Sequence, residues 1–237
     1  TTGTTAIDPL KDIANISQKY NIWLHVDAAY AGSALILPEF QWMIEGIEQV
    51  DSFVFNPHKW LLTNFDCSVY FIKDKESLLK TFEVLPEYLK TANRGVVNDY
   101  RDWGVPLGRR FRALKLWFVI RNYGINGLQK QLREHISLAQ ELTTWINNDS
   151  AFELLAPTTL NLVCFRYHPN NIQDEKKLNH LNEKILQQLN KSGYMYLTHT
   201  KINNQYTLRI VIGQTFVEAR HIQNAWKEIQ EIARKAG

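Results

Sequence analysis

Residues Asp51–Cys67 read DSFVFNPHKWLLTNFDC. The apolar run SFVF meets the breaker Asn56-Pro57, and His58, Lys59 and Trp60 follow at once. Such a run stopped by Asn-Pro predicts a short strand ending beside the proline. A surface lysine normally sits among polar neighbours, yet this one runs directly into Trp60-Leu61-Leu62. Thirty residues upstream the pattern recurs: IWLHVDAAY (Ile22–Tyr30) is an apolar run that meets an acid at Asp27. Ahead of it, DPLKDIANISQKY (Asp8–Tyr20) predicts a helix, with Asp8 as its cap, Pro9 in the first turn, and Leu10, Ile13, Ile16 and Tyr20 at helical spacing. A continuous apolar run after a helix predicts a strand buried on both faces of a parallel sheet. SVYFIK (Ser68–Lys73) adds a third strand. Strands alternating with helices make the fold class α/β.

Further along, TANRGVVNDYRDWGVP (Thr91–Pro106) lies in a stretch, residues 81–105, without sustained periodicity. A loop of that length in a compact protein is often a functional lid. Helices are expected over 107–123, ending at Gly124, and over 128–147, where Leu128, Leu132, Ile136, Ala139, Leu142 and Ile146 form an apolar stripe. The last ninety or so residues predict a smaller α/β unit. It has strands at Leu160–Tyr167 and Gln205–Gly213, a helix marked by Leu178, Leu181, Ile185 and Leu189, and a final helix marked by Ile222, Trp226, Ile229 and Ala233. The expected division is 1–112, with a catalytic loop near 84–105, and 113–237.

Composition excludes several classes. Over 237 residues, 45% are apolar and 22% charged, and the net charge is +3. That is ordinary for a globular chain. No basic stripe interleaved with exposed aromatics argues for nucleic acid. No apolar run approaches the roughly 20 residues that span a bilayer. The two cysteines, Cys67 and Cys164, lie in apolar contexts and make neither a disulfide framework nor a zinc site, so a reducing, cytoplasmic setting is expected. The chain opens on Thr1 without a basic leader and reads as the C-terminal portion of something longer.

Ligands of open α/β sheets bind beyond the carboxyl ends of the strands. That rule gathers Asp27, Asn56, His58 and Lys59 around one crevice. The separation of Asp27 and Lys59 fits one intervening helical connection. An acid facing a ring nitrogen, with a lysine able to form an imine, is what a pyridoxal phosphate enzyme needs: a buried carboxylate keeps the pyridine nitrogen protonated, and the amine binds the aldehyde. Trp60 offers an apolar setting and His58 a nearby cation, both of which favour a neutral, nucleophilic amine. Asn56 and His58 can also donate to a phosphate. The plainer readings are a turn acid at Asp27 and an ordinary helix-starting lysine at Lys59. His25, Asp27 and His58 are metal-ligand types, but no third strong ligand has matching spacing.

HVDAAYAGSA and FNPHKWLLTNFDCS, together with PEYLK and DYRDWGVPLGRRFRALKLWFVIRNYG, closely resemble the group II pyridoxal-dependent decarboxylases, and within them the aromatic-L-amino-acid decarboxylases. The resemblance runs over essentially the whole chain. It implies the PLP-dependent transferase-like fold type I, here the C-terminal part of the large domain plus a small C-terminal α/β domain. It implies pyridoxal 5'-phosphate as cofactor, an aromatic amino acid as substrate and a homodimer as the assembly. By the same resemblance, Lys59 would carry the cofactor and Asp27 would pair with its pyridinium nitrogen. Ala29 would pack on the ring, Asn56 and His58 would lie at the phosphate, and Thr5 of GTT would lie near the cofactor. Tyr88 of PEYLK would protonate the substrate carbon; phenylalanine there goes with aldehyde formation. Gly108 of PLGRR would leave room for a bulky side chain. The family's remaining cofactor contacts come from an N-terminal half upstream of these motifs, so the chain by itself is expected to bind cofactor weakly and turn over little substrate. An aldehyde synthase and a non-catalytic relative are the alternatives.

Overall fold

A computed structural model describes residues 1–83 and 98–237. The chain forms two compact units, one of Pro9–Gly124 and one of Thr1–Asp8 with Ile125–Gly237. These units divide at Gly124, and the N-terminal octapeptide belongs with the C-terminal unit.

In the Pro9–Gly124 unit, helix α1 (Leu10–Lys19) buries Leu10, Ala14 and Ser17. Asp8 does not cap it: Pro9 is the N-cap, without a side-chain cap hydrogen bond. The Pro9 carbonyl accepts from Asp12 N and Ile13 N, each at 3.1 Å. A three-stranded sheet follows in the order β1-β2-β3. Strand β1 (His25–Asp27) pairs parallel with β2 (Ser52–Phe55), setting Asp27 opposite Val54. Strand β3 (Val69–Ile72) returns antiparallel on the other side of β2. The sheet is thus mixed, and β1 is not buried on both faces, because His25 and Asp27 are exposed. Nor is the β1–β2 connection an α-helix. It is three 3₁₀ segments, Ala31–Ile36, Pro38–Ile44 and Ile47–Gln49. Pro38 and Gly46, the latter left-handed at φ 90, prevent one continuous helix. A single helical turn, α2 (Pro57–Trp60), leaves β2. Helix α3 (Lys75–Phe82) starts on Asp74, whose carboxylate accepts from the backbone N–H of Glu76 and Ser77.

Helix α4 (Ala113–Asn147) is broken at Gly124, where φ is 62 and ψ 175. That is the stop expected there, although the first helix begins at Ala113 rather than 107. Past the break, Leu128, Leu132, His135, Leu138, Ala139, Leu142 and Ile146 face the core. Ile136 is only half-buried, and His135 holds its place in the stripe. Strands β4 (Phe152–Leu154), β5 (Leu162–Tyr167), β6 (Thr198–Ile202) and β7 (Gln205–Val211) form an antiparallel sheet in the order β4-β5-β7-β6. Its core joins Phe152, Phe165 and Trp226 to residues of α5 (Glu175–Ser192) and α6 (Ala219–Ala236). The β6–β7 hairpin turns on Asn203 and Asn204, both left-handed, which is why two asparagines stand there. Two buried polar groups tie the sheet to its helices. Asn182 is fully buried; its amide accepts from Tyr167 N at 2.8 Å and donates to the carbonyls of Tyr167 and Leu178, each at 2.9 Å. Arg166, 2% exposed, donates to Glu153 and bidentately to Glu175.

Candidate active site

The hydrogen-bonded contact between β1 and β2 continues past the strand ends. Ala28 N donates to Val54 O at 2.9 Å, and Asn56 N donates to Ala29 O at 3.0 Å. Asp27–Ala29 therefore lies beside Val54–Asn56 at the carboxyl edge of the parallel pair. Asp27 Oδ1 accepts from Ala29 N at 2.9 Å, a local turn that keeps the carboxylate at the strand end. Lys59 N donates to Asn56 O at 2.9 Å, so the lysine sits one turn beyond β2. Both Asp27 and Lys59 are exposed, and Ala29 between the strands is half-buried.

The neighbours of Lys59 are fixed by contacts that sequence spacing does not announce. Trp60 is 1% exposed and stacks on Tyr30, with centroids 5.2 Å apart and planes 6° from parallel. The tryptophan thus anchors α2 under the loop after Asp27. His58 Nδ1 lies 2.6 Å from Cys67 O and 3.0 Å from Cys67 N. One nitrogen serves only one of these at a time, donating when protonated and accepting when not, and either bond leaves Nε2 for another partner. The imidazole also meets Phe65 edge-on at 4.9 Å. Asn56 Oδ1 accepts from Ser68 Oγ, which orients the amide. Gly32 closes the arrangement: a Cβ there would stand 2.4 Å from Phe55 Cβ. Ser68 and the Cys67 backbone escape sequence reading because they act across a loop. Gly32 left a trace in the small-residue run AAYAGSA.

Thr5 belongs to the other compact unit, 7% exposed and left-handed at φ 57. Gly108 is exposed, with open space where a Cβ would go. Tyr88 lies outside the described residues. Of the basic run RRFRALK, Arg112 Nε donates to Asp66 at 2.9 Å and Lys115 stands 3.9 Å from the same carboxylate. The Arg112 hydrogen bond holds the Asp66 carboxyl below the usual carboxylate range. A cavity of about 350 Å³ in this unit lies at the other end of β2, among Leu35, Ile47, Phe53 and Phe71, away from Lys59. Among the described residues no three His, Cys, Asp or Glu side chains gather as a metal site, and no helix is long and apolar enough to cross a membrane.

An exposed primary amine and an exposed carboxylate off adjacent strand ends, with an amide and an imidazole oriented from behind, are a donor set of the kind used by aldehyde-bearing pyridine cofactors. Residues 1–168 match the pyridoxal-dependent decarboxylase conserved domain. The chain belongs to that family. It is 46% identical over 235 residues to the phenylacetaldehyde synthase of Arabidopsis thaliana, covering 98% of this chain and 48% of that protein. It is likewise 46% identical over 234 residues to the tryptophan decarboxylase TDC1 of Camptotheca acuminata, covering 98% of this chain and 46% of the relative. The crystal structure of Oryza sativa TDC with PLP and tryptamine superposes with a TM-score of 0.94 at 38% identity, over 99% of this chain and 49% of that one. The fold is accordingly that of the pyridoxal-dependent decarboxylases, and the chain spans about half the length of the curated relatives it matches.

Proposed function

We propose that this chain serves the pyridoxal-phosphate-dependent decarboxylation of an aromatic L-amino acid to its amine and carbon dioxide. The carrying observation is the placement of Asp27 at the carboxyl end of β1 and of Lys59 one turn past the carboxyl end of its parallel partner β2. The residues fit the cofactor in kind: Lys59 presents the amine that an aldehyde requires, and Asp27 presents an anion for a ring N–H. When bound, pyridoxal phosphate supplies an electron sink for the bond that releases carbon dioxide. Lys59 would hold the cofactor, and Asp27 would keep the proton on its ring nitrogen. Ala29 would pack on the ring, where a larger side chain would not fit. Asn56, steadied by Ser68, and His58, steadied by Cys67, would donate to the phosphate, and Thr5 would contribute a further contact. Tyr88 would supply the proton to the substrate carbon. Gly108 leaves space for the aromatic side chain. The proposed assembly is a homodimer, and the proposed setting is the cytoplasm, where two unpaired buried thiols persist.

An aldehyde synthase is the second reading, supported by the 46% identity to a phenylacetaldehyde synthase. The tyrosine at position 88 favours the amine. The first test is attachment. The chain is incubated with pyridoxal phosphate, reduced with borohydride and digested. The pyridoxyl mass should concentrate on the peptide bearing Lys59 and vanish from it in Lys59→Ala. Label spread evenly over the exposed lysines would refute the reading. Amine and carbon dioxide from tyrosine, tryptophan, L-DOPA or 5-hydroxytryptophan, without hydrogen peroxide or ammonia, then separates decarboxylase from synthase.

A further inference from the structure

Lys59 rides on α2, a helix of only four residues. A single turn forms too few backbone hydrogen bonds to offset the order it demands, so its neighbours must hold it. Lys59 N donates to Asn56 O and Leu61 N to Pro57 O, each at 2.9 Å. The turn buries Pro57 and Trp60. Trp60 is 1% exposed, and its indole lies on the Tyr30 ring with centroids 5.2 Å apart and planes 6° from parallel. Tyr30 belongs to the segment leaving β1, three residues past Asp27. Backbone bonds hold that segment in place: Ala28 N donates to Val54 O at 2.9 Å, Gly32 N to Ala28 O at 2.8 Å, and Asn56 N to Ala29 O at 3.0 Å. All of these residues lie within the Pro9–Gly124 unit. The Tyr30–Trp60 stack is thus a side-chain link between the segment that follows the carboxylate and the turn that carries the amine.

We propose that Tyr30 is a positioning residue. Its ring, stacked on Trp60, sets the orientation of α2 against the segment leaving β1, and so sets where the Lys59 amine stands relative to the Asp27 carboxylate. This rests on the reading of Lys59 and Asp27 as the groups that hold one cofactor ring. The bond from Asn56 to Ala29 lies ahead of the turn and leaves its rotation to side chains. His58, bonded to the Cys67 backbone, ties the turn to the loop before β3, and the stack ties it to the segment after β1. Two flat rings in face contact resist both tilting and separation, whereas an aliphatic side chain of similar volume offers no such plane. Tyr30 acts on no reacting atom, and its effect passes through Trp60 to the backbone of Lys59.

The test uses the full chain, Tyr30→Leu and Tyr30→Phe. Two quantities are read: the rate of pyridoxal phosphate attachment to Lys59, trapped with borohydride and referred to Lys19, an exposed lysine on α1 of the same unit, and hydrogen exchange at the Lys59 and Leu61 amides. Loss of the ring should slow attachment at Lys59 by about tenfold relative to Lys19. It should also speed exchange at the two amides while the β1–β2 pairing stays protected. Tyr30→Phe, which keeps a ring on Trp60, should recover most of both effects. A purely structural role would lower stability without changing the ratio of Lys59 to Lys19. An unchanged ratio in Tyr30→Leu therefore overturns the proposal, as does unchanged exchange or a Tyr30→Phe chain as slow as Tyr30→Leu. If Tyr30→Leu fails to fold by circular dichroism, Tyr30→Met, with a longer side chain and no ring, carries the same expectation. A parent chain that labels Lys59 no faster than Lys19 overturns the functional reading and this proposal with it. Selective labelling of the parent with an unchanged variant overturns the positioning role alone.

Discussion

Replacing Gly32 with alanine isolates close approach as the requirement at the Asp27–Lys59 edge. Gly32 does not occupy the left-handed region, so alanine meets no backbone penalty there. Space is the obstacle. The added carbon would stand 2.4 Å from Phe55 Cβ, 3.2 Å from Phe55 Cγ and 3.3 Å from Ala28 Cβ. Restoring ordinary contact to Phe55 requires a separation of about 1 Å between the loop after β1 and the end of β2. That gap opens between the segment holding Asp27 and the segment holding Asn56 and Lys59. Overpacking of this kind costs about 1–3 kcal/mol, and a 1 Å misplacement costs a positioned reaction on the order of 100-fold. The expected result is a lowered urea midpoint and a rate of pyridoxal phosphate attachment to Lys59 reduced by roughly that factor. Gly193→Ala is the contrast. Gly193 ends α5 at φ 73 with nothing within 4 Å of a built Cβ, so alanine there is strained but displaces no neighbour. It should cost about 1 kcal/mol and leave attachment unchanged. Parental attachment kinetics in Gly32→Ala, with the protein folded, would refute the claim that these strand ends must touch.

Asn182→Asp keeps the acceptor for Tyr167 N but turns the other side-chain atom into an oxygen facing two carbonyls. The expected loss at neutral pH is about 2–4 kcal/mol, seen as a lower urea midpoint and faster exchange at Tyr167, with partial recovery in acid as the new carboxyl protonates; equal stability at both pH values would contradict the assigned bonds. Burial lowers the His135 proton affinity below the usual histidine value. Because its folded pKa is depressed, its contribution is present above the unfolded value of about 6.5 and is lost as pH falls through the folded one. The thermal midpoint should therefore drop on acidification below that value, and His135→Gln should flatten that part of the slope.

The two strand ends that carry Asp27 and Asn56-His58-Lys59 were legible because their signals are local in the chain. An apolar run ending in an acid, and another ending in Asn-Pro-His-Lys, mark the ends of β1 and β2, and no other part of the chain is needed to read them. The stop at Gly124 and the core positions of α5 and α6 follow equally from spacing, since a buried helical face repeats every three or four residues. Strand direction was not legible. A four-residue strand pairs either way, and β3 runs antiparallel to β2 with Phe71 beside Phe53. The Asp8 cap failed because Pro9 itself took the cap position, and the 3₁₀ connection escaped because proline and glycine divided a stretch that otherwise suggests a helix.

The sequence by itself determined the residue types, their order at the two strand ends and the family to which the chain belongs, because these are properties of contiguous segments. Tertiary structure alone decided which groups hold them in place: Ser68 on Asn56, Cys67 on His58, Tyr30 under Trp60, and Arg209 on the octapeptide. Those contacts join residues from 9 to 207 positions apart, and only the folded backbone brings such distant groups within hydrogen-bonding or stacking range.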